Sequence, residues 1–86
     1  MRVLFTRRFR RAYLGLSLND AEHTRKALGF MSENLRHPSL QVKKIQGTEN
    51  IWEARAGLSL RITFEMNEDT IILRNVGRHD ETLRKP

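Results

Sequence analysis

The chain has 86 residues, and its 16 lysines and arginines against 10 acidic residues give a net charge of +6. This length excludes a second domain, because domains usually need roughly 100–150 residues each. The absence of cysteine excludes disulfides and thiolate metal sites, and it fits a reducing cytosol. We therefore predict a single domain over residues 1–86, marginally stable alone, whose 38% hydrophobic residues build one core.

The sequence shows no membrane segment. No apolar run approaches the ~20 residues that a membrane-spanning helix needs. The arginines before Ala12–Leu18 give a faint likeness to a signal peptide, but the apolar run is short and has no small-residue cleavage site. We expect a cytoplasmic protein without membrane contact.

The positive charge is concentrated at the start of the chain. Residues 1–18 contain five arginines and no acid, and Arg7, Arg8 and Arg11 belong to this group. A basic patch on a small domain indicates a phosphate-bearing partner, most often nucleic acid. The alternative is a solvated surface that is basic by chance, because net charge concerns association and not fold.

The first half of the chain has the spacing of a strand followed by two helices. Residues 3–5 are apolar and predict a short strand, after which Thr6 is a candidate helix cap. Apolar residues at helical spacing predict the first helix, and Asn19 with Glu22 resembles a capping box that starts the second. This second helix should run to about Arg36, because Pro38 disfavours helical geometry in the residue before it.

The second half alternates between apolar and polar residues. Residues 58–66 alternate over a whole strand, 67–69 form a turn, and residues 71–76 return as a second strand. Shorter strands are predicted at 42–45 and 51–56. The fold class is therefore α+β, with an N-terminal strand and a two-helix hairpin packed on one face of a mainly antiparallel twisted sheet.

The alternation also predicts on which face of the sheet the Arg61 side chain lies. If Leu58 and the alternating apolar residues after it face the helices, Arg61 lies on the opposite, uncovered face of the sheet. An arginine there suits a phosphate contact. An ion pair with Glu53 or Glu65 is the alternative, and the sequence favours neither.

The residues that follow the last strand are the best candidates for chemistry. The three histidines are too widely spaced for a metal site, and the scattered glycines form no phosphate-binding loop. Arg78, His79 and Asp80, however, follow each other directly. Histidine transfers protons near neutral pH, a neighbouring carboxylate orients it, and arginine stabilises an anionic transition state. We expect His23 to be a surface residue and His37 to serve the loop structure.

Five short segments, taken in order and spacing, resemble the RelE/ParE superfamily of bacterial toxin–antitoxin toxins. The likeness covers nearly the whole chain, and the segments are His37–Leu40, Lys43–Gly47, Ile51–Arg55, Leu60–Phe64 and Val76–Asp80. The fold that this resemblance implies has the same order of strands and helices as the one predicted above.

The resemblance implies a function, partners and a mechanism. Many of these toxins are ribosome-dependent messenger-RNA endonucleases that an antitoxin holds inactive. They use neither a metal nor a small-molecule cofactor, since the ribose 2′-hydroxyl attacks the adjacent phosphate. The partners implied here are a cognate antitoxin with an acidic, partly disordered segment, the ribosome and messenger RNA.

The resemblance also implies roles for individual residues. His79 matches the position of a catalytic histidine in YafQ-like toxins and is our candidate general acid. Arg61 matches a strand arginine that contacts the scissile phosphate, and Asp80 is a possible orienting residue. Contacts to RNA phosphates are expected from a wider basic set, namely Lys43, Lys44, Arg55, Arg78, Arg7, Arg8 and Arg11.

The sequence departs from RelE itself, which has a strand lysine pair and a C-terminal tyrosine. Ile51 and Glu53 occupy those strand positions, and the only tyrosine lies in the first predicted helix. A histidine-centred site is therefore expected, with Glu53, His37 or a lysine as the general base. Two other functions stay open. They are a ParE-like inhibitor of DNA gyrase without nuclease activity and a non-enzymatic basic nucleic-acid-binding module.

Overall fold

A five-stranded sheet organises the fold, and the computed structural model describes residues 1–86. The strands are β1 (Arg2–Phe5), β2 (Lys43–Lys44), β3 (Ile51–Arg55), β4 (Leu60–Asn67) and β5 (Thr70–Arg78). The helices are α1 (Arg7–Leu14), α2 (Leu18–Glu33) and α3 (His79–Arg84), and a 3-10 helix covers Pro38–Leu40. The predicted α+β class is confirmed, and no helix is both long and apolar enough to cross a membrane.

The strands lie in the order β1-β5-β4-β3-β2. β1 runs parallel to β5, and every other neighbouring pair is antiparallel. The predicted turn between β4 and β5 is confirmed, because Asn67 pairs with Thr70 across a two-residue loop in which Glu68 has a φ of 57°. The sheet is thus a mainly antiparallel one whose edge strand comes from the beginning of the chain.

Side-chain caps define where the two helices of the hairpin begin. The Thr6 hydroxyl accepts a hydrogen bond from the Phe9 amide at 3.1 Å, as predicted for α1. The cap of α2 is Ser17, whose hydroxyl accepts from the Asp20 amide at 3.1 Å. The predicted Asn19 cap is wrong because the helix begins two residues earlier, with Ser17 as the cap and Asn19 already in the first turn. α2 also ends at Glu33, before the predicted Arg36, because Asn34 takes an extended backbone conformation.

The core lies between the helical hairpin and one face of the sheet, which we call the inner face. Leu60, Ile62 and Phe64 on β4 are buried there, together with residues of β5, α1 and α2. Leu58 was predicted to share this face, but its side chain is 87% exposed. The strand starts only at Leu60, so Leu58 lies in the loop that connects β3 to β4.

The opposite, outer face of the sheet is covered by α3, which the sequence analysis did not predict. Thr82 of α3 is buried against Gly77, where an added Cβ would lie only 2.8 Å from the Thr82 hydroxyl oxygen. A glycine is therefore needed for this close approach. The signal for α3 was present in the charges, because acids at its first turn and Arg84 in its last suit the helix dipole.

Candidate active site

An open cleft lies where β5 passes into α3. Its lining consists of Leu58, Ser59, Arg61, Arg78, His79, Asp80 and Glu81, and we call it the His79 cleft. Four residues that the sequence analysis singled out therefore come together at one place. The loop before β4 supplies the opposite wall, which brings Ser59 next to residues that follow it by some twenty positions.

His79 is held at the first position of α3 by two contacts. Its ring Nδ1 lies 3.0 Å from the Asp80 carboxylate, and its backbone amide donates to the Ser59 carbonyl at 2.7 Å. The other ring nitrogen, Nε2, makes no hydrogen bond within the protein, and the side chain is 47% exposed. The imidazole is therefore oriented by one nitrogen while the other is open to a ligand in the cleft.

Ser59 also positions Arg78. The Ser59 hydroxyl accepts a hydrogen bond from Arg78 Nη1 at 2.7 Å, and Arg78 Nη2 lies 3.5 Å from the Asp20 carboxylate on α2. Ser59 was not predicted as a site residue, since a lone serine in a loop carries no local motif. Its role depends on the register that places the start of β4 beside the end of β5.

Arg61 is less available than the sequence suggested. Its side chain is only 16% exposed, since α3 covers the outer face that was expected to be open. Arg61 Nε lies 3.6 Å from the Glu53 carboxylate, and Nη1 donates to the carbonyls of Gly57 and Leu60. Of the two acidic partners considered for Arg61, the structure has the ion pair with Glu53, while Glu65 pairs with Arg74 instead. Arg61 still contributes to the wall of the His79 cleft.

The other predicted basic residues lie on different surfaces. Lys43 and Lys44 are exposed on β2, at the sheet edge three strand positions from β5. Arg7 and Arg11, two of the four exposed arginines of α1, do not line the cleft. Arg8 donates to the carbonyl oxygens of the last two residues of the chain.

Two histidines lie outside the cleft, as expected. The His37 Nδ1 accepts from the Ser39 amide, and its ring stacks on Phe30 with a centroid separation of 3.8 Å, which is a loop-stabilising role. His23 is exposed on α2. No group of three His, Cys, Asp or Glu side chains is placed to bind a metal ion.

A second surface feature is an apolar groove between α1, α2 and the end of β1. Its apolar lining is Phe5, Phe9, Tyr13, Leu14 and Leu28, with Arg10 and Arg25 at the rim. Arg25 donates to Glu22 and to the Tyr13 hydroxyl, and these hydrogen bonds raise the pKa of its guanidinium. We call this the α1 groove, and it combines exposed apolar surface with fixed positive charge.

Comparisons with known proteins show the fold. No protein-family model and no curated protein matches the sequence. A chain of the RelB–RelE antitoxin–toxin complex of Methanococcus jannaschii is similar in structure, with a TM-score of 0.78, 24% identity, and coverage of 96% of this chain and 98% of that one. The copper-bound mutant toxin of Helicobacter pylori gives a TM-score of 0.77 at 18% identity, covering 94% and 97%.

The toxin YafQ, which the sequence resemblance named, has the same fold. YafQ of Escherichia coli gives a TM-score of 0.68 at 9% identity, and the alignment covers 95% of this chain and 98% of that one. The chain therefore has the RelE/ParE-like toxin fold over nearly its whole length, and the fold that the resemblance implied is confirmed.

Proposed function

We propose that this protein is the toxin of a type II toxin–antitoxin module and that it cleaves messenger RNA on the ribosome without a metal ion. One observation carries the proposal. On a fold shared with such toxins, His79 is oriented through Nδ1 by Asp80, keeps Nε2 free of protein partners and lines a cleft together with Arg61 and Arg78. This is the arrangement that proton transfer next to a phosphate requires.

The reaction we assign to the cleft is an internal transesterification. The ribose 2′-oxygen forms a bond to the adjacent phosphorus, and the bond from phosphorus to the 5′-oxygen breaks. The protonated His79 gives its Nε2 proton to the departing 5′-oxygen, which leaves a 2′,3′-cyclic phosphate and a 5′-hydroxyl. Arg78 stabilises the charge on the phosphate, with Arg61 as the second cation. The 2′-hydroxyl proton passes to solvent water, because none of the expected bases (Glu53, His37 or a lysine) lines the cleft and Glu53 is buried against Arg61.

The partner we propose is an antitoxin whose acidic, amphipathic segment docks in the α1 groove. The apolar lining suits the apolar side of such a segment, and Arg10, which lines the groove and has no acidic partner, complements its acids. Leu14 is 81% exposed at this groove. We expect Leu14→Glu to weaken copurification with an acidic protein encoded next to this one at least tenfold, whereas Leu58→Glu leaves it unchanged.

The ribosome contact we propose uses the exposed arginines of α1. Arg7 and Arg11 are free of acidic partners, whereas Arg8 is engaged by backbone carbonyls. Binding to ribosomal RNA through them should weaken steeply with salt. Replacing Arg7 and Arg11 with glutamine should reduce this dependence, and salt-insensitive ribosome binding would contradict the assignment.

The test of the nuclease is expression from a tight inducible promoter with genome-wide mapping of new messenger-RNA 5′ ends. Wild type should produce cuts in phase with codons, and a folded His79→Ala variant should lose them. The matched control is His37→Asn, which removes an imidazole outside the cleft and keeps a capping residue at the 3-10 helix.

Other outcomes decide between the alternatives. Cuts that persist in folded His79→Ala remove the histidine from the mechanism. Growth arrest without cuts, together with loss of supercoiling in a gyrase assay, favours the gyrase inhibitor. RNA or DNA binding with neither arrest nor cuts favours a non-enzymatic nucleic-acid-binding module.

A further inference from the structure

A second basic depression lies next to the His79 cleft, on the other side of the loop between β3 and β4. His23, Lys26 and Arg55 line it, together with Ser39, Gly57 and Leu58. No carboxylate contributes to its lining. None of the three side chains has an acidic partner elsewhere in the protein, so no carboxylate offsets the positive charges of Lys26 and Arg55.

The fold holds these groups around the turn at Gly57. His23 and Lys26 are three residues apart on α2 and therefore project from the same side of the helix. Arg55 Nε donates to the Gly57 carbonyl at 3.3 Å. His23 packs beside the same glycine, since a Cβ placed on Gly57 would lie 3.5 Å from its Nδ1. Two elements that are distant in sequence thus present donors around one turn.

The depression is continuous with the His79 cleft. Leu58 lines both, and a third, smaller depression lined by His23, Ser59 and Arg78 joins them. Asp20 also lines this junction, but its carboxylate is paired with Arg78 at 3.5 Å. The surface between Lys26 and Arg78 therefore carries no unpaired acid. Leu58, which is 87% exposed, supplies an apolar side chain on this surface.

We propose that His23, Lys26 and Arg55 form a flanking-phosphate site for single-stranded RNA. It binds the backbone phosphate of a nucleotide next to the scissile one, and Leu58 contacts the base that lies between the two sites. This inference rests on the nuclease proposed above and names its substrate more closely, as a strand of several nucleotides. Alternation of cationic and apolar contacts is what single strands require, because backbone charge and base surface are recognised separately.

The test uses fluorescein-labelled, fully 2′-O-methylated RNA, which binds without being cleaved because the attacking hydroxyl is blocked. Affinities for an octanucleotide and a dinucleotide are measured by anisotropy over a range of salt. Lys26→Gln should weaken octanucleotide binding five- to tenfold and lower the salt slope by about one. Dinucleotide binding, which fills only the His79 cleft, should be unchanged.

The matched control is Arg36→Gln, which removes one positive charge from an exposed residue outside both depressions. It should weaken octanucleotide binding less than twofold. Leu58→Ser separates the apolar contact from the charge, because it should weaken binding two- to fivefold without altering the salt slope. In ribosomal cleavage assays, Lys26→Gln should raise KM and leave kcat unchanged.

Three outcomes overturn the inference, and they are distinguishable from failure of the nuclease itself. Equal weakening by Lys26→Gln and Arg36→Gln, with wild type still cleaving, leaves the nuclease and removes the flanking-phosphate site. Preferential binding of an acidic peptide such as polyglutamate shows that the depression recognises protein instead. Wild-type protein that neither binds the octanucleotide nor cleaves messenger RNA removes both proposals together.

Discussion

The two faces of the sheet are built by different kinds of interaction. The inner face is dry, and the side chains that β4 sends to it, such as Ile62 and Phe64, are fully buried beneath the hairpin. The outer face is polar, with the Glu53–Arg61 pair beside Thr63 under the short helix α3. The packing of the inner face follows from the apolar pattern of the sequence alone. The packing of the outer face depends on specific hydrogen bonds and ion pairs between polar side chains. The proposed chemistry lies at the end of the outer face.

The largest loss of stability is expected from a substitution on the inner face. Phe64→Ala removes a fully buried ring and should lower the free energy of unfolding by about 3–5 kcal/mol. Urea denaturation measures this loss. Leu58→Ala, at an exposed site, should change the free energy of unfolding by less than about 0.5 kcal/mol. A similar loss in both variants would contradict the assigned core.

The close approach of Gly77 to α3 is the next most sensitive feature. Gly77→Ala places a Cβ against the Thr82 hydroxyl and should cost about 1–3 kcal/mol through overpacking. RNA cleavage should fall as well, since His79 begins the displaced helix. Adding Thr82→Ala removes the clashing oxygen and should restore part of the stability and activity. No recovery in the double variant would show that the glycine is needed for another reason.

The Glu53–Arg61 pair should contribute less to the free energy of unfolding than the packing of Gly77 against α3. Glu53→Gln keeps the side-chain shape but removes the charge, and Arg61 retains its hydrogen bonds to two carbonyls. We expect a loss of about 1–2 kcal/mol in the free energy of unfolding. Glu49→Gln is the control because Glu49 is exposed and unpaired. An unchanged Glu53→Gln protein would mean that water screens the pair.

The smallest effect is expected from one hydroxyl hydrogen bond on the outer face, whose acceptor oxygen also accepts from Arg74. The Thr63 hydroxyl donates to the Pro86 carbonyl at 3.0 Å, so Thr63→Val should cost about 0.5–1.5 kcal/mol. Thr70→Val, at a half-exposed threonine whose hydroxyl makes no such bond, should be nearly neutral. Thermal denaturation of both variants at one salt concentration compares them directly.

The inner face could be predicted from the sequence because its information is local. Alternation placed Ile62 and Phe64 correctly, and the Thr6 cap follows from its position before the apolar spacing of α1. The error at Leu58 has the same origin, since alternation continues past the point where strand pairing ends. The alternation of apolar and polar residues does not show where pairing with the neighbouring strand ends.

The outer face could be predicted only in part. Arg78, His79 and Asp80 are contiguous, so the sequence already placed them together. Ser59, which holds both Arg78 and His79, is joined to them by strand register alone. α3 was missed because its six residues bear a single buried side chain and no apolar stripe. Arg61 was therefore expected on an open surface.

The pairing of β1 with β5 has a consequence for synthesis of the chain. Arg2 pairs with Thr70, so β1 has no neighbouring strand until β5 has been made. Contacts between such distant segments form late, because the intervening loop must first be closed. His79 lies beyond that last strand, so no partly made chain carries the cleft. The proposed site therefore forms only after β5 has been made, and no earlier segment of the chain presents it.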